Sequence, residues 1–176
     1  MKKHIGIVIV GVAIVAILVL HAVFFTVRWQ TKALVISFGK ISRVETEPGL
    51  KWMWPWQEVI TFDGRISTLQ QKGTQTYTSD QQNIIVSVYV NWRISKPDVF
   101  YKRFRSGSAR GADDVVAGAE KTIGTWITQA SNVFARYDLG ELVTVDASKF
   151  KLAEIEAEML GQISAQAGAE GGYGVE

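Results

Sequence analysis

The chain has 176 residues, 19 basic against 17 acidic, and no cysteine. The missing cysteine excludes disulfides, thiolate catalysis and Cys-ligated zinc or iron–sulfur sites. With Lys2, Lys3 and Arg28 set aside, 16 basic residues face 17 acidic ones, so no basic field exists for nucleic acid.

The first element runs from Ile5 to Val27 without an Asp, Glu, Lys or Arg. As a helix at ~1.5 Å per residue it would span roughly 34 Å, enough for a hydrocarbon core of ~30 Å. Ile5, Val8, Val12, Val15, Leu18, Val19, Phe24 and Val27 are the expected membrane-anchor residues. A cleaved signal peptide is the competing reading. Its apolar region would be shorter and end at a small-x-small site, which Leu20-His21-Ala22-Val23-Phe24-Phe25 does not offer. The remaining length suits one domain, giving a tail and anchor over 1–28 and a domain over 29–176. Charge does not orient the anchor. Lys2 and Lys3 precede it, but Arg28, Lys32, Lys40 and Arg43 follow it, and long domains translocate largely regardless of such charges.

Ala33 to Phe38 reads as a short strand closed by Gly39, and Pro48-Gly49 marks a turn. Trp52, Trp54 and Trp56 follow at alternate positions, so an extended segment would point all three indoles one way. Indole prefers the headgroup region of a bilayer, and half-burial would contribute about 2–3 kcal/mol per ring. The alternative is that the three rings form the domain core. Glu58 to Leu69 reads as one strand bent at Gly64. From Asn83 to Ile94 the alternation is strict: Ile84, Val86, Val88, Val90, Trp92 and Ile94 share the face expected to meet the core. Two helices follow. One carries Val115, Ala119, Ile123, Trp126 or Ile127, Ala130 and Phe134. The other carries Leu152, Ile155, Met159, Ile163 and Ala167, with Asp146 or Ser148 as its cap and Gly168 as its stop.

The only histidines are His4 and His21, before the anchor and near its far end. Cys–His and Ser–His–Asp catalysis are therefore excluded in the domain, and zinc loses its usual ligands. Asp113-Asp114 and Glu154, Glu156 and Glu158 are the remaining carboxylate candidates. Adjacent residues on a helix diverge by roughly 100°, so dipole complementation at helix starts explains them better than a shared metal or proton. Lys102, Arg103 and Arg105, with Arg110, form a basic cluster. It is a candidate for anionic headgroups or an acidic neighbouring subunit; a solvated loop before the first helix is the favoured reading, since four charges are few for lipid recognition. No phosphate-binding glycine motif is present. The expectation is a protein that is not an enzyme, with no cofactor.

The order of short motifs resembles the SPFH, or band 7, family of stomatins, prohibitins, flotillins and bacterial HflK and HflC. The motifs are Ile36-Ser37-Phe38-Gly39-Lys40, Glu47-Pro48-Gly49-Leu50-Lys51-Trp52, Phe62-Asp63-Gly64-Arg65-Ile66, Thr78-Ser79-Asp80-Gln81-Gln82-Asn83-Ile84-Ile85-Val86 and Pro97-Asp98-Val99-Phe100-Tyr101. Arg136-Tyr137-Asp138-Leu139 and Tyr173-Gly174-Val175-Glu176 are most similar to the HflC branch. The tryptophan-rich stretch departs from it.

The resemblance implies an α+β fold: a transmembrane helix followed by a mixed twisted sheet with packed helices. It implies a bacterial cytoplasmic-membrane scaffold, N-terminus inside and domain on the periplasmic side. Its implied partners are the lipid bilayer, an HflK-like subunit in a homo- or hetero-oligomeric ring or cage, and an FtsH-like protease whose zinc and ATP are its own. Stomatin-like organisation of lipid domains and channels is the alternative, and a membrane-bound hydrolase a third reading weakened by the missing His and Cys. Family members continue past the position of Glu176 into a strand and a long helix, so lateral association through the domain faces alone is expected to be weak.

Overall fold

A computed structural model describes residues 2–105, 107, 111–144, 150–168 and 172–176, with side chains of 2–9, 19, 21 and 22 excepted. The chain divides into two compact units, Met1–Gly64 and Arg65–Glu176.

The first unit opens with helix α1, Lys2–Val23. Among the described residues no helix is long and apolar enough to cross a membrane. The anchor residues Ile5, Val8 and Val19 lie outside those whose side chains are described. Val12, Val15 and Leu18 are exposed on α1. Phe24 and Val27 are not part of the helix: they begin and end strand β1, Phe24–Val27, and Val27 is buried. Apolar content alone could not separate helix from strand here, and Phe24-Phe25-Thr26-Val27 has the aromatic and β-branched residues of a strand.

β1 pairs antiparallel with β4, Gly49–Trp52, in a two-stranded sheet. A three-stranded sheet has the order β3-β2-β5, with β2 Thr31–Ser37, β3 Lys40–Glu45 and β5 Gln57–Asp63. β2 is its central strand, and Ala33, Leu34, Val35 and Ile36 are all buried. A continuous apolar run is what a strand covered on both faces requires. The β2–β3 hairpin closes through Phe38 and Gly39, both with positive φ (49° and 77°), as the two-residue turns that match strand twist demand.

The predicted single strand from Glu58 to Leu69 is two strands in different sheets. β5 ends at Asp63, and β6 runs over Ser67–Tyr77. At the break, the Gly64 amide donates to the Gln30 carbonyl at 2.8 Å. A Cβ on Gly64 would stand 2.9 Å from that oxygen, so the close approach needs glycine.

In the second unit, among the described residues, β6 pairs only with β7, Asn83–Trp92. A bulge places Lys72-Gly73 opposite the single residue Ser87, between the Gln71–Val88 and Thr74–Val86 pairs. Among the described residues every strand pairing is antiparallel, in place of the mixed sheet expected. The β6–β7 connection is organised by Thr78, whose hydroxyl accepts from the Gln82 amide at 3.1 Å and donates to Asp80. That hydrogen bond holds the Asp80 carboxyl below its ordinary range, so its contribution is present above about pH 4 and fades as pH falls through the lowered pKa.

Helix α2, Pro97–Phe104, follows. Pro97 opens it where the missing N–H costs nothing. Helix α3 runs over Ala112–Ala130 and continues as a 3-10 turn over Ser131–Arg136. Val115, Ala119, Ile123, Trp126, Ile127 and Ala130 are buried on one stripe, with Phe134 beyond, as the helical spacing predicts. Asp113 and Asp114 occupy its first turn, where they complement the dipole. The short α4, Leu139–Leu142, carries a reciprocal cap between Asp138 and Glu141. Helix α5, Leu152–Gly168, buries Ile155, Met159 and Ile163. The predicted caps Asp146 and Ser148 lie outside the described residues.

β7 departs from expectation in its burial. Trp92 and Ile94 are buried, but Ile84, Val86, Val88 and Val90 are only half-buried. They form one wall of an open groove of ≈ 860 Å³, opposite Leu142, Leu152, Ile155 and Met159. Val88→Asp, whose charge keeps access to water, is therefore expected to cost only about 1 kcal/mol, against several for Ile94→Asp. Equal losses in urea titrations would contradict this division of the strand.

Candidate functional site

The functional candidates of the first unit gather at one end of its strands. β1 leaves α1 directly, and its first residue, Phe24, stands opposite Trp52, the last of β4. The Met53 amide donates to the Val23 carbonyl at 2.7 Å, which fixes the tryptophan segment to the C-terminal end of α1. Trp54 and Gln57 then close a turn: the Gln57 amide donates to the Trp54 carbonyl at 2.9 Å, and the Trp54 amide to Gln57 Oε1 at 2.9 Å.

Trp52, Trp54 and Trp56 are brought together as a ridge. Trp52 meets Trp54 edge-on at 5.4 Å, and Trp54 stacks on Trp56 at 4.9 Å with planes 10° apart. The turn, rather than the straight strand imagined from the spacing, produces that stack. The rings are 47%, 48% and 55% exposed, so they are not the domain core. Arg43 on β3 buttresses the ridge from behind: its guanidinium lies 5.0 Å from the Trp52 ring centre and donates to the Trp52 carbonyl. Glu45 holds Arg43 at 3.1 Å and Lys51 at 3.2 Å. These residues escaped sequence reasoning because β3 and β4 belong to different sheets, and no local pattern sets Arg43 against Trp52.

The basic candidates belong to the second unit. Lys102 and Arg103 lie in the last turn of α2 and Arg105 caps it, where a solvated loop was expected. Arg103 lies over the Tyr173 ring at 5.4 Å and Arg105 over Tyr101 at 5.4 Å. Lys102 is exposed, and Arg110 lies outside the described residues. Tyr173 also meets Trp126 at 4.9 Å and Phe104 at 5.7 Å, so Arg103 and these rings hold Tyr173 against α2 and α3, while Arg105 packs on α2 itself. Among the described residues no group of His, Asp or Glu could hold a metal ion.

A hydrophobic leading helix with antiparallel strands at its end is followed by a second unit in which a two-stranded ladder carries helices, an α+β chain. The profile of the SPFH domain / Band 7 family matches residues 25–176, and the chain belongs to that family. It is similar to Protein HflC of Buchnera aphidicola subsp. Acyrthosiphon pisum, 32% identical over 94 residues, covering 49% of this chain and 30% of that one. It is also similar to the Modulator of FtsH protease HflC of Escherichia coli K12, 27% identical over 112 residues, covering 60% and 34%. Protein HflC of Vibrio cholerae is 29% identical over 96 residues, covering 51% and 29%. The matches thus take in about a third of the length of these curated relatives.

Proposed function

We propose that this chain is a membrane-anchored scaffold subunit of the HflC kind, not an enzyme, that modulates an FtsH-like membrane-bound ATP-dependent protease. α1 crosses the bacterial cytoplasmic membrane with its N-terminus inside, and the chain that follows the anchor lies on the periplasmic side. The subunit assembles with an HflK-like partner into a ring or cage. The observation that carries this reading is the similarity to a named modulator of FtsH, set beside a family match over residues 25–176. Co-reconstituted with an FtsH protease and a membrane-embedded substrate, the full chain is expected to slow degradation. A rate unchanged across a wide range of chain-to-protease ratios would refute it.

The indole ridge supports the membrane part of the reading. It stands where α1 ends, the level at which an anchor leaves hydrocarbon and indoles are favoured. The described part of α1 does not by itself make a spanning length; the support for a span is the charge-free run from Ile5 to Val27 in the sequence. Phospholipids with brominated acyl chains are expected to quench the tryptophan emission of the full chain. The triple variant Trp52→Ser, Trp54→Ser, Trp56→Ser should lose that quenching while keeping its thermal unfolding. Undiminished quenching, or unfolding of the variant, would sink the interfacial role.

A further inference from the structure

The hairpin tip that shares this end with the indoles has no structural reason to be aromatic. Phe38 is 85% exposed, more than any other large hydrophobic side chain among the described residues. It also sits at φ 49°, in the left-handed region that suits glycine, asparagine and aspartate and is strained for a bulky residue. A turn of this type prefers Asn-Gly. Phe38 therefore pays a backbone penalty without gaining burial in the chain, which points to a gain outside it.

Strand register shows where that gain lies. β2 and β5 are antiparallel, and their last pair at this end is Ser37–Gln57. The next residues outward are Phe38 and Trp56. Trp56 belongs to the ridge that is tied to Val23 of α1 through Met53. The opposite end of the same ladder, Thr31–Asp63, carries the exposed Trp29 in the β1–β2 turn. The topology thus sets Phe24, Phe38 and the three ridge indoles at one level, with the exposed Lys40 beside the tip.

We propose that the Phe38–Gly39 tip is a second lipid-inserting element, separate in sequence from the tryptophan ridge, that enters the bilayer interface while Lys40 meets lipid phosphate. The proposal rests on the membrane reading of the ridge and extends it. One hydrophobic attachment lets a domain swivel about the end of α1; two attachments either side of the β2–β5 ladder fix the tilt of the sheet on the surface.

The cysteine-free sequence allows single thiol labels on the full chain. Phe38→Cys, Trp56→Cys and Trp29→Cys, each carrying a nitrobenzoxadiazole fluorophore, are placed in nanodiscs of phosphatidylcholine and phosphatidylglycerol and treated with dithionite. Labels at 38 and 56 are expected to be reduced at least about tenfold more slowly than the label at 29, as groups sheltered at the interface. Rapid reduction at 38 with protection at 56 would overturn the hairpin proposal and leave the ridge reading standing. Rapid reduction at all three would overturn both, and equal protection at all three would remove the end preference on which the hairpin proposal depends. A label at Lys40→Cys gives a second reading. Adding Phe38→Asn, which suits the turn, should speed its reduction with no loss of thermal stability; an unchanged rate would also overturn the proposal.

Discussion

Replacing Phe100 with alanine is expected to lower the unfolding free energy of the Arg65–Glu176 unit by about 3–5 kcal/mol. Phe100 is fully buried. It stacks on Trp92 at 6.2 Å and meets Phe104 at 5.0 Å. Through Phe104 the contacts continue to Tyr173 and Trp126, so one ring links β7, α2, α3 and the final residues. Its removal loses the transfer free energy of the ring and leaves a cavity walled by rigid aromatics, which collapse poorly. Leu160→Ala is the matched control. Leu160 is 62% exposed on α5, and its truncation should stay within about 0.5 kcal/mol. Comparable losses in urea titrations would mean that the aromatic chain is not the centre of this core.

Where one periodicity dominated, the residues announced their elements. β7 alternates over ten residues, α3 keeps a 3.6-residue stripe that is buried where expected, and α5 buries the middle of its stripe, Ile155, Met159 and Ile163, with Leu152 and Ala167 half-buried. Elements without such a pattern were illegible. β6, Ser-Thr-Leu-Gln-Gln-Lys-Gly-Thr-Gln-Thr-Tyr, is polar on both faces, and its ladder with β7 rather than its burial makes it a strand. α2 is short and charged, and reads as a loop until Pro97 is seen as its first residue. The end of α1 was misplaced by four residues, because Phe24 to Val27 is as apolar as the helix before it. The indoles were visible as a spacing, but their stack needs the Trp54–Gln57 turn. Phe38 passed as the last residue of a strand. Only register, which is set by pairing across the chain, puts it beside Trp56.

Gly174→Ala should be the most damaging single-methyl substitution in the second unit. Gly174 has φ 74°, where an added Cβ costs about 1–2 kcal/mol. That Cβ would also stand 2.4 Å from the Lys96 carbonyl oxygen and 2.8 Å from the Phe100 amide nitrogen. Both are backbone atoms at the start of α2 and cannot swing aside. The segment must therefore lift away. Its departure breaks the hydrogen bonds that Ser95 and Lys96 donate to the Gly174 carbonyl at 2.8 and 3.1 Å, and the paired bonds between Arg93 and Glu176. It also strips Tyr173 from Trp126 and from under Arg103. At about 1 kcal/mol for each hydrogen bond, the expected loss is about 2–4 kcal/mol. Hydrogen exchange should quicken at the amides of Arg93, Ser95 and Lys96 before the rest of β7 responds. Gly161→Ala provides the opposite sign. Gly161 lies inside α5 with nothing within 4 Å of its added methyl, so alanine should stabilise the helix by about 0.5–1 kcal/mol. If both substitutions shift the unfolding midpoint in the same direction, the close approach of Gly174 to Lys96 and Phe100 does not hold in solution.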